Sequence, residues 1–171
     1  MLIELGLGLF PRSHAANVPA TNELLFLERC EVLGQRPMYA PSVFGYFRPG
    51  YVPPNTAFAI ANTTVPEFQI VNESTTLQWI NLAMRMVSGG LGWTGTGYDV
   101  SANLQPLIDL VSTGQIDATI ERLDLLLYGG RMSVQLKQDI LEAICSVGGN
   151  DAASHANRAR VALFLALASP E

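Results

Sequence analysis

Apolar residues recur at helical spacing in four successive segments of the second half of the chain. From Pro106 onward, aliphatic residues return every three or four positions, which places them on one face of an α-helix. Glycine pairs at 129–130 and 148–149 separate the segments and are typical of helix ends. The clearest stripes are Ile116, Ile120, Leu123 and Leu127, then Leu136, Ile140, Ile144 and Val147. The pattern predicts an antiparallel helical bundle of the all-α class.

Residues suited to helix starts stand where these helices would begin. Pro106 fits the first turn of a short helix, and Ser133 fits the cap of a later one. Asn150 and Asp151 are alternative caps for a last helix that reaches about Ala168.

Two earlier helices are predicted upstream of this bundle. The first covers about 23–33, with Thr21 and Asn22 as possible caps and Gly34 as its end. Its apolar stripe consists of Leu24, Leu25, Leu27 and Cys30. The second covers about 73–87 and is followed by a glycine-rich loop over 89–98. Its cap would be Asn72 or Ser74, and its inward face Trp79, Leu82, Ala83 and Met86.

Residues 37–66, which we call the strap, have a different composition. Six of the ten prolines lie there, and Arg48 is the only charged residue. Each proline removes a backbone donor and disfavours helix before it, so the strap should be irregular or polyproline-like. One turn of helix over 42–47 is possible. Its many aromatic residues argue against a solvated linker, so we expect a long ordered segment lying across the helices.

Composition and charge exclude or disfavour several classes of protein for this chain. The 171 residues carry a formal charge of −5, which disfavours nucleic acid as the main partner. A hydrophobic fraction of 49% excludes intrinsic disorder, and no apolar run approaches the ~20 residues of a membrane span. The segment 1–10 is a poor signal peptide, because it lacks a basic start and contains Glu4.

The last helix is almost uniformly apolar over 161–168, although only 15% of the chain is charged. A helix that is apolar on every side needs cover on every side. We therefore expect missing cover from an absent part of the chain, a protein partner or a second copy. Cys30 and Cys145 lie on apolar helical faces and should act as small hydrophobic residues.

Motifs of known catalytic or cofactor chemistry are weak here. The string Gly90 to Gly95 matches G-x-G-x-x-G, but a helix precedes it and more loop follows, so we expect a connector and no dinucleotide or other cofactor. His155 and Asp151 are four residues apart and can share one helix face, either as half of a catalytic or metal site or, as we favour, as a surface pair. His14 is distant in sequence, and we assign no metal site.

A polar set at the end of the strap is the most interesting candidate for chemistry. Glu67, Gln69, Asn72 and Glu73 could support acid–base catalysis or bind a sugar or a cation. The alternative, which we favour, is structural. Asn72 would cap the following helix, Glu73 would favour its N-terminal dipole, and Glu67 and Gln69 would satisfy strap backbone.

Three further candidates lie in or near the strap. Arg48 would be either a buried clasp that bonds carbonyl groups or a hook for an anion. Tyr46 and Tyr51, together with Trp93, could stack on pyranose rings, although aromatic residues beside prolines are more often packed.

The segment from Pro41 to Pro54, PSVFGYFRPGYVPP, resembles the C-terminal part of a bacterial family called domain of unknown function 1800. Later stretches fit the same pattern in the same order: PEFQI with Asn72 and Glu73, LLL to Gly130 with Met132 and Ser133, and the closing LALASPE. The resemblance implies a longer, largely helical bacterial protein. Many members carry export signals, which implies the periplasm or cell exterior, and many are encoded beside a sulfatase-like family. It supplies no catalytic residues.

Three functions follow as hypotheses. The first is a non-catalytic assembly or binding module, the C-terminal part of a longer protein, that uses the strap as its contact surface. The second is part of a hydrolase acting on envelope or extracellular polymers, with Glu67 and Glu73 as its acid–base groups. The third is a carbohydrate-binding module. We expect the partner to be the remainder of the same protein, another protein or a second copy.

Overall fold

The computed structural model describes residues 33–35, 40–93 and 98–169. The described helices are α1 (Ala57–Ile60), α2 (Glu73–Ser88), α3 (Gln105–Ser112), α4 (Ile116–Leu123), α5 (Val134–Ser146) and α6 (Ala152–Ala168). A 3-10 helix spans Pro66–Ile70, and a π-helical turn spans Asp124–Tyr128 directly after α4. The all-α class is therefore confirmed. The segment 1–10, His14 and Cys30 lie outside the described residues, as does the predicted helix 23–33 apart from its last residue.

Side-chain caps explain where three of the helices begin. Asn72 accepts a hydrogen bond from the Thr75 N–H at 3.0 Å, and its own N–H donates to Thr75 Oγ1 at 2.9 Å. Ser133 caps α5 through the Leu136 N–H at 3.1 Å. Asp151, rather than Asn150, caps α6. Polar residues at these positions satisfy N–H groups that have no partner within the helix.

The core of the bundle surrounds α6, which packs against α2, α3 and α5 and more weakly against α4. Its most enclosed side chains are Leu107, Leu123, Ile140, Ile144 and Leu163. Burial of each such aliphatic side chain contributes about 1.5–3 kcal/mol. The predicted stripes therefore face inward, and Val147 ends α5 half-buried.

Neighbouring helices cover much of the last helix, so its apolarity does not by itself require a partner, and a partner over its half-buried side chains stays a prediction. Leu163 and Ala166 of α6 are buried, and Phe164 and Leu165 pack partly against the same core. Apolar residues on most sides of α6 suit its position, because neighbouring helices enclose it on several sides. Exposed large apolar residues lie elsewhere in the described chain, on the strap, on α2 and at Leu125 and Val134.

A short hairpin replaces part of the predicted glycine-rich loop. Strand β1 (Leu91–Trp93) pairs antiparallel with β2 (Tyr98–Val100), and Leu91 stands opposite Val100. These strands of three residues each form the one sheet within the described ranges. The predicted glycine-rich connector thus contains two short paired strands, which the sequence analysis did not predict.

Over residues 40–66 the strap is ordered, but not in the predicted form. A turn closes from Ser42 to Gly45, where one turn of helix had been possible, and α1 forms in a segment predicted to be irregular. Thr56 caps α1 by accepting from the Ala59 N–H at 3.3 Å, which explains a helix immediately after Pro53 and Pro54. None of the helices that the structure describes is long and apolar enough to cross a bilayer.

Candidate functional site

A tight turn in the strap carries Val43, the most exposed large apolar residue among those that the structure describes. The Gly45 N–H donates to the Ser42 carbonyl at 3.0 Å, and Ser42 Oγ accepts from the Phe44 N–H at 3.2 Å. Gly45 has φ +84°, a left-handed conformation that favours glycine. The turn presents Val43 at 96% exposure and Phe44 at 66%.

Hydrogen bonds within the strap fix the segment that carries α1 and the exposed residue Ile60. The Val65 N–H donates to the Tyr51 carbonyl at 2.9 Å, which joins the two sides of the segment that carries α1. Thr56 Oγ1 also donates to the Pro53 carbonyl at 2.7 Å. At the end of α1, Ile60 is 91% exposed.

An aromatic pair connects α1 with the 3-10 helix. The ring centroids of Phe58 and Phe68 are 5.3 Å apart, with a tilted arrangement that is favourable for aromatic rings. Both rings still remain partly open to solvent. We call the set Val43, Phe44, Phe58, Ile60 and Phe68 the strap surface.

Two residues of the predicted polar set have structural roles, and the other two are exposed to solvent. Gln69 Oε1 accepts from the Arg48 N–H at 2.7 Å, and Asn72 forms the capping box of α2. Glu67 and Glu73 are exposed in the first turns of their helices and form no ion pair or hydrogen bond with another described residue beyond the helix backbone. The side chains of Gln69 and Asn72 therefore form structural hydrogen bonds, as the structural interpretation predicts.

Arg48 does not form the buried clasp that was one of its two predicted roles. The residue is exposed, and its backbone N–H rather than its guanidinium makes the bond to Gln69. The turns around Pro49 and Gly50 leave this side chain at the surface. A role as an anion hook stays a prediction.

The residues predicted to stack on sugars are only partly described. Tyr46 and Tyr51 are half-buried, and the side chain of Trp93 lies outside the described set. The stacking hypothesis therefore stays a prediction.

The expected pair between His155 and Asp151 is replaced by other contacts. His155 Nε2 lies 2.9 Å from Asn150 Oδ1. Asp151 Oδ1 instead accepts from the Ser154 hydroxyl and from the Ser154 N–H. These hydrogen bonds hold the pKa of Asp151 below its usual value, and the nearby His155 lowers it further. Within the described ranges, no three His, Cys, Asp or Glu residues are grouped as metal ligands.

Cys145 is exposed, which corrects the prediction that it packs as a small hydrophobic residue. It follows Ile144, which is fully buried, and one step along a helix turns a side chain by about 100°. The inward stripe therefore excludes Cys145.

One buried polar site was not identified from the sequence. Asp124 Oδ1 accepts from the Met132 N–H at 2.8 Å, and Oδ2 lies 2.5 Å from Nζ of Lys137, the only lysine of the chain. The hydrogen bond from Lys137, followed by that from Met132, holds the pKa of Asp124 below its usual value although burial opposes this. The carboxylate thereby ties the π-helical turn to the start of α5.

A comparison with protein families identifies one match, which spans residues 11–171. Neither the curated proteins nor the solved structures gave a match. The matched region includes the strap, both sides of the hairpin and the whole bundle. Because nearly all of the sequence is matched, the chain belongs to the family described as protein of unknown function (DUF1800).

Proposed function

We propose that this chain is a non-catalytic assembly module that binds another protein surface through the strap surface. The observation that carries the proposal is the exposure of Val43, Phe44 and Ile60, at 96%, 66% and 91%, on a segment ordered by its own hydrogen bonds. Exposed apolar side chains on an ordered segment are a common feature of protein contact sites.

The charge of the strap supports the same function. Residues 40–66 contain one charged side chain, Arg48, whereas the rest of the chain carries the acidic excess. Depletion of charge and enrichment in aromatic residues are features of the centre of protein interfaces. The ordered turn and α1 also reduce the entropy that binding would cost.

The hydrolase hypothesis receives less support from the described geometry. Glu67 and Glu73 occupy solvent-exposed first turns, where a carboxylate commonly favours the helix dipole. Enclosed, paired carboxylates would be a more usual arrangement for acid–base catalysis. We therefore place the assembly module first.

The test combines surface hydrophobicity with association state. Binding of an apolar fluorescent dye and sedimentation velocity are measured on the full chain and on the double variant Val43→Ser, Ile60→Ser. We expect the chain to bind dye or to self-associate, and the double variant to lose most of that signal.

The matched control is the double variant Leu125→Ser, Val134→Ser. These residues are also exposed, at 69% and 84%, but lie outside the strap surface. Equal effects of the two double variants would contradict the proposal. So would a wild-type monomer that binds no dye.

A further inference from the structure

Helix α2 carries a row of exposed apolar residues beside its buried face. Leu77, Ile80 and Met84 are 63%, 38% and 49% exposed and follow one another at intervals of three and four residues. At about 100° per residue, the three side chains lie within an arc of about 60° that borders the buried residues Ala83 and Val87. We call these three exposed residues the α2 stripe.

A carboxylate extends the α2 stripe at the start of the helix. Glu73 is the first residue of α2 and precedes Leu77 by four positions, which places it in the same arc. It is exposed, and its carboxylate forms no ion pair with another described residue. The helix therefore presents one acidic group followed by about 10.5 Å of exposed apolar side chains from Leu77 to Met84.

The strap surface offers the opposite charge beside its own apolar side chains. Arg48 is exposed and is the only charged residue of 40–66, and its guanidinium forms no hydrogen bond or ion pair with a described residue. Its backbone N–H donates to Gln69 Oε1 at 2.7 Å, which holds Arg48 beside the 3-10 helix that carries Phe68. The strap surface and the α2 stripe are therefore both apolar, and the charges beside them are complementary.

These two surfaces adjoin along the chain. The 3-10 helix ends at Ile70, α2 begins at Glu73, and the exposed Val71 lies between them. Of the eleven large apolar residues that are exposed in the described chain, nine lie within 43–84. A two-fold axis between two copies can bring these stretches against each other, and every contact between the copies then forms twice.

We propose that two copies of this chain form a two-fold dimer in which the strap surface of each copy packs against the α2 stripe of the other. Arg48 of each copy pairs with Glu73 of the other copy. Burial of either charge without its counterpart would cost free energy, so this pairing selects which surfaces meet. Because the proposed function assigns protein binding to the strap surface, the dimer rests on that function and names a second copy as the partner.

An exchange of charges on the full chain tests the dimer. Arg48→Glu and Glu73→Arg each place like charges at both symmetry-related contacts, and each should raise the dissociation constant of the dimer at least ~10-fold. An equimolar mixture of the two variants should dimerise nearly as tightly as wild type. One chain of the mixture is acidic at both positions and the other is basic at both, so opposite charges meet again at both contacts. Sedimentation velocity over a concentration series measures the dissociation constants.

The matched controls are Arg122→Glu on α4 and Glu142→Arg on α5, which change the charge of the chain by the same amounts at exposed positions. We expect both controls to dimerise like wild type, and Met84→Ser to weaken the dimer without any change of charge. A mixture of Arg48→Glu and Glu73→Arg that associates no better than either variant alone would overturn the proposal. So would a wild-type chain that stays monomeric throughout the series. If that monomer still binds an apolar dye, the dimer alone is overturned and the proposed function stands, whereas a monomer that binds no dye contradicts both.

Discussion

The indole N–H of Trp79 donates to the Leu167 carbonyl at 2.8 Å and thereby joins two helices 88 residues apart in sequence. The acceptor lies in the last turn of α6, where carbonyl groups have no partner within the helix. Tyr128 Oη donates to the adjacent Ala166 carbonyl at 2.5 Å. Side chains from α2 and from the π-helical turn thus donate hydrogen bonds to carbonyl groups at the end of α6.

Replacement of Trp79 by phenylalanine should destabilise the bundle by about 1 kcal/mol or somewhat more, because a partly buried carbonyl loses its donor while an aromatic ring is retained. Chemical denaturation followed by circular dichroism measures this change. Leu77→Ala, on the outer side of the same helix, is the control for a general effect on α2. An unchanged free energy of unfolding in Trp79→Phe would contradict the role assigned to the hydrogen bond.

The carboxylate of Asp124 should be a major determinant of stability at neutral pH. Asp124→Asn removes the ion pair with Lys137 and should cost about 2 kcal/mol, as is typical when a hydrogen bond to a charged group is lost. Asp139→Asn changes an exposed carboxylate on α5 and should change the free energy of unfolding by less than about 0.5 kcal/mol. Similar losses in both variants would argue against a special role for Asp124.

Acid should remove the contribution of Asp124. Its pKa is lower in the folded chain than in the unfolded chain, so the unfolded state takes up the proton first as pH falls. The stabilisation is complete above the unfolded pKa, near 4, and disappears as pH decreases through the folded value. Urea denaturation between neutral pH and pH 3 should therefore show a smaller acid dependence in Asp124→Asn than in wild type. Parallel pH profiles would contradict this expectation.

A left-handed residue ends the π-helical turn. Gly129 has φ +62°, and nothing lies within 4 Å of an added Cβ, so Gly129→Ala should cost about 1–2 kcal/mol through backbone conformation alone. Gly148 has equally open space without a positive φ, so Gly148→Ala should be nearly neutral or slightly stabilising. Thermal unfolding of the two variants measures the difference. If both alanines had equal effects, the left-handed conformation would not be the cause.

The side chain of Gln69 should control order in the strap. Gln69→Ala leaves the Arg48 N–H without its acceptor and should accelerate hydrogen exchange at that amide roughly fivefold, equivalent to about 1 kcal/mol. Glu67→Ala, two positions earlier in the same 3-10 helix, should leave the exchange of Arg48 unchanged. If the Arg48 amide were equally protected in all three proteins, the bond would not order the strap.

The helices were predictable because their signals are local. Asn72, Ser133 and Asp151 cap helices through residues three positions away, and the inward stripes repeat every turn. The burial of α6 was not predictable, because α2 and α3, which pack against it together with α5, are distant from it in sequence. The role of Asp124 was missed for the same reason, since Met132 and Lys137 lie eight and thirteen residues further along.

The candidate surface was only partly visible in the sequence. Prolines and aromatic residues predicted an ordered strap, but not which of its apolar side chains face solvent. Phe58 and Phe68 partly enclose each other, whereas Val43 and Ile60 project from turns and helix ends. That distinction depends on the Ser42–Gly45 turn and on the cap at Thr56, which arrange the backbone in three dimensions.

Site-specific photo-crosslinking tests the proposed assembly function most directly. A photoreactive amino acid replaces Ile60 in the full chain, produced in its native cells, and an equivalent protein carries it at Val134 as the control. We expect a discrete crosslinked species from position 60 but not from 134, with the linked peptide of a specific protein, or of a second copy, identified by mass spectrometry. Identical crosslinking at both positions, or none at position 60, would contradict the assignment of the strap surface as a protein contact.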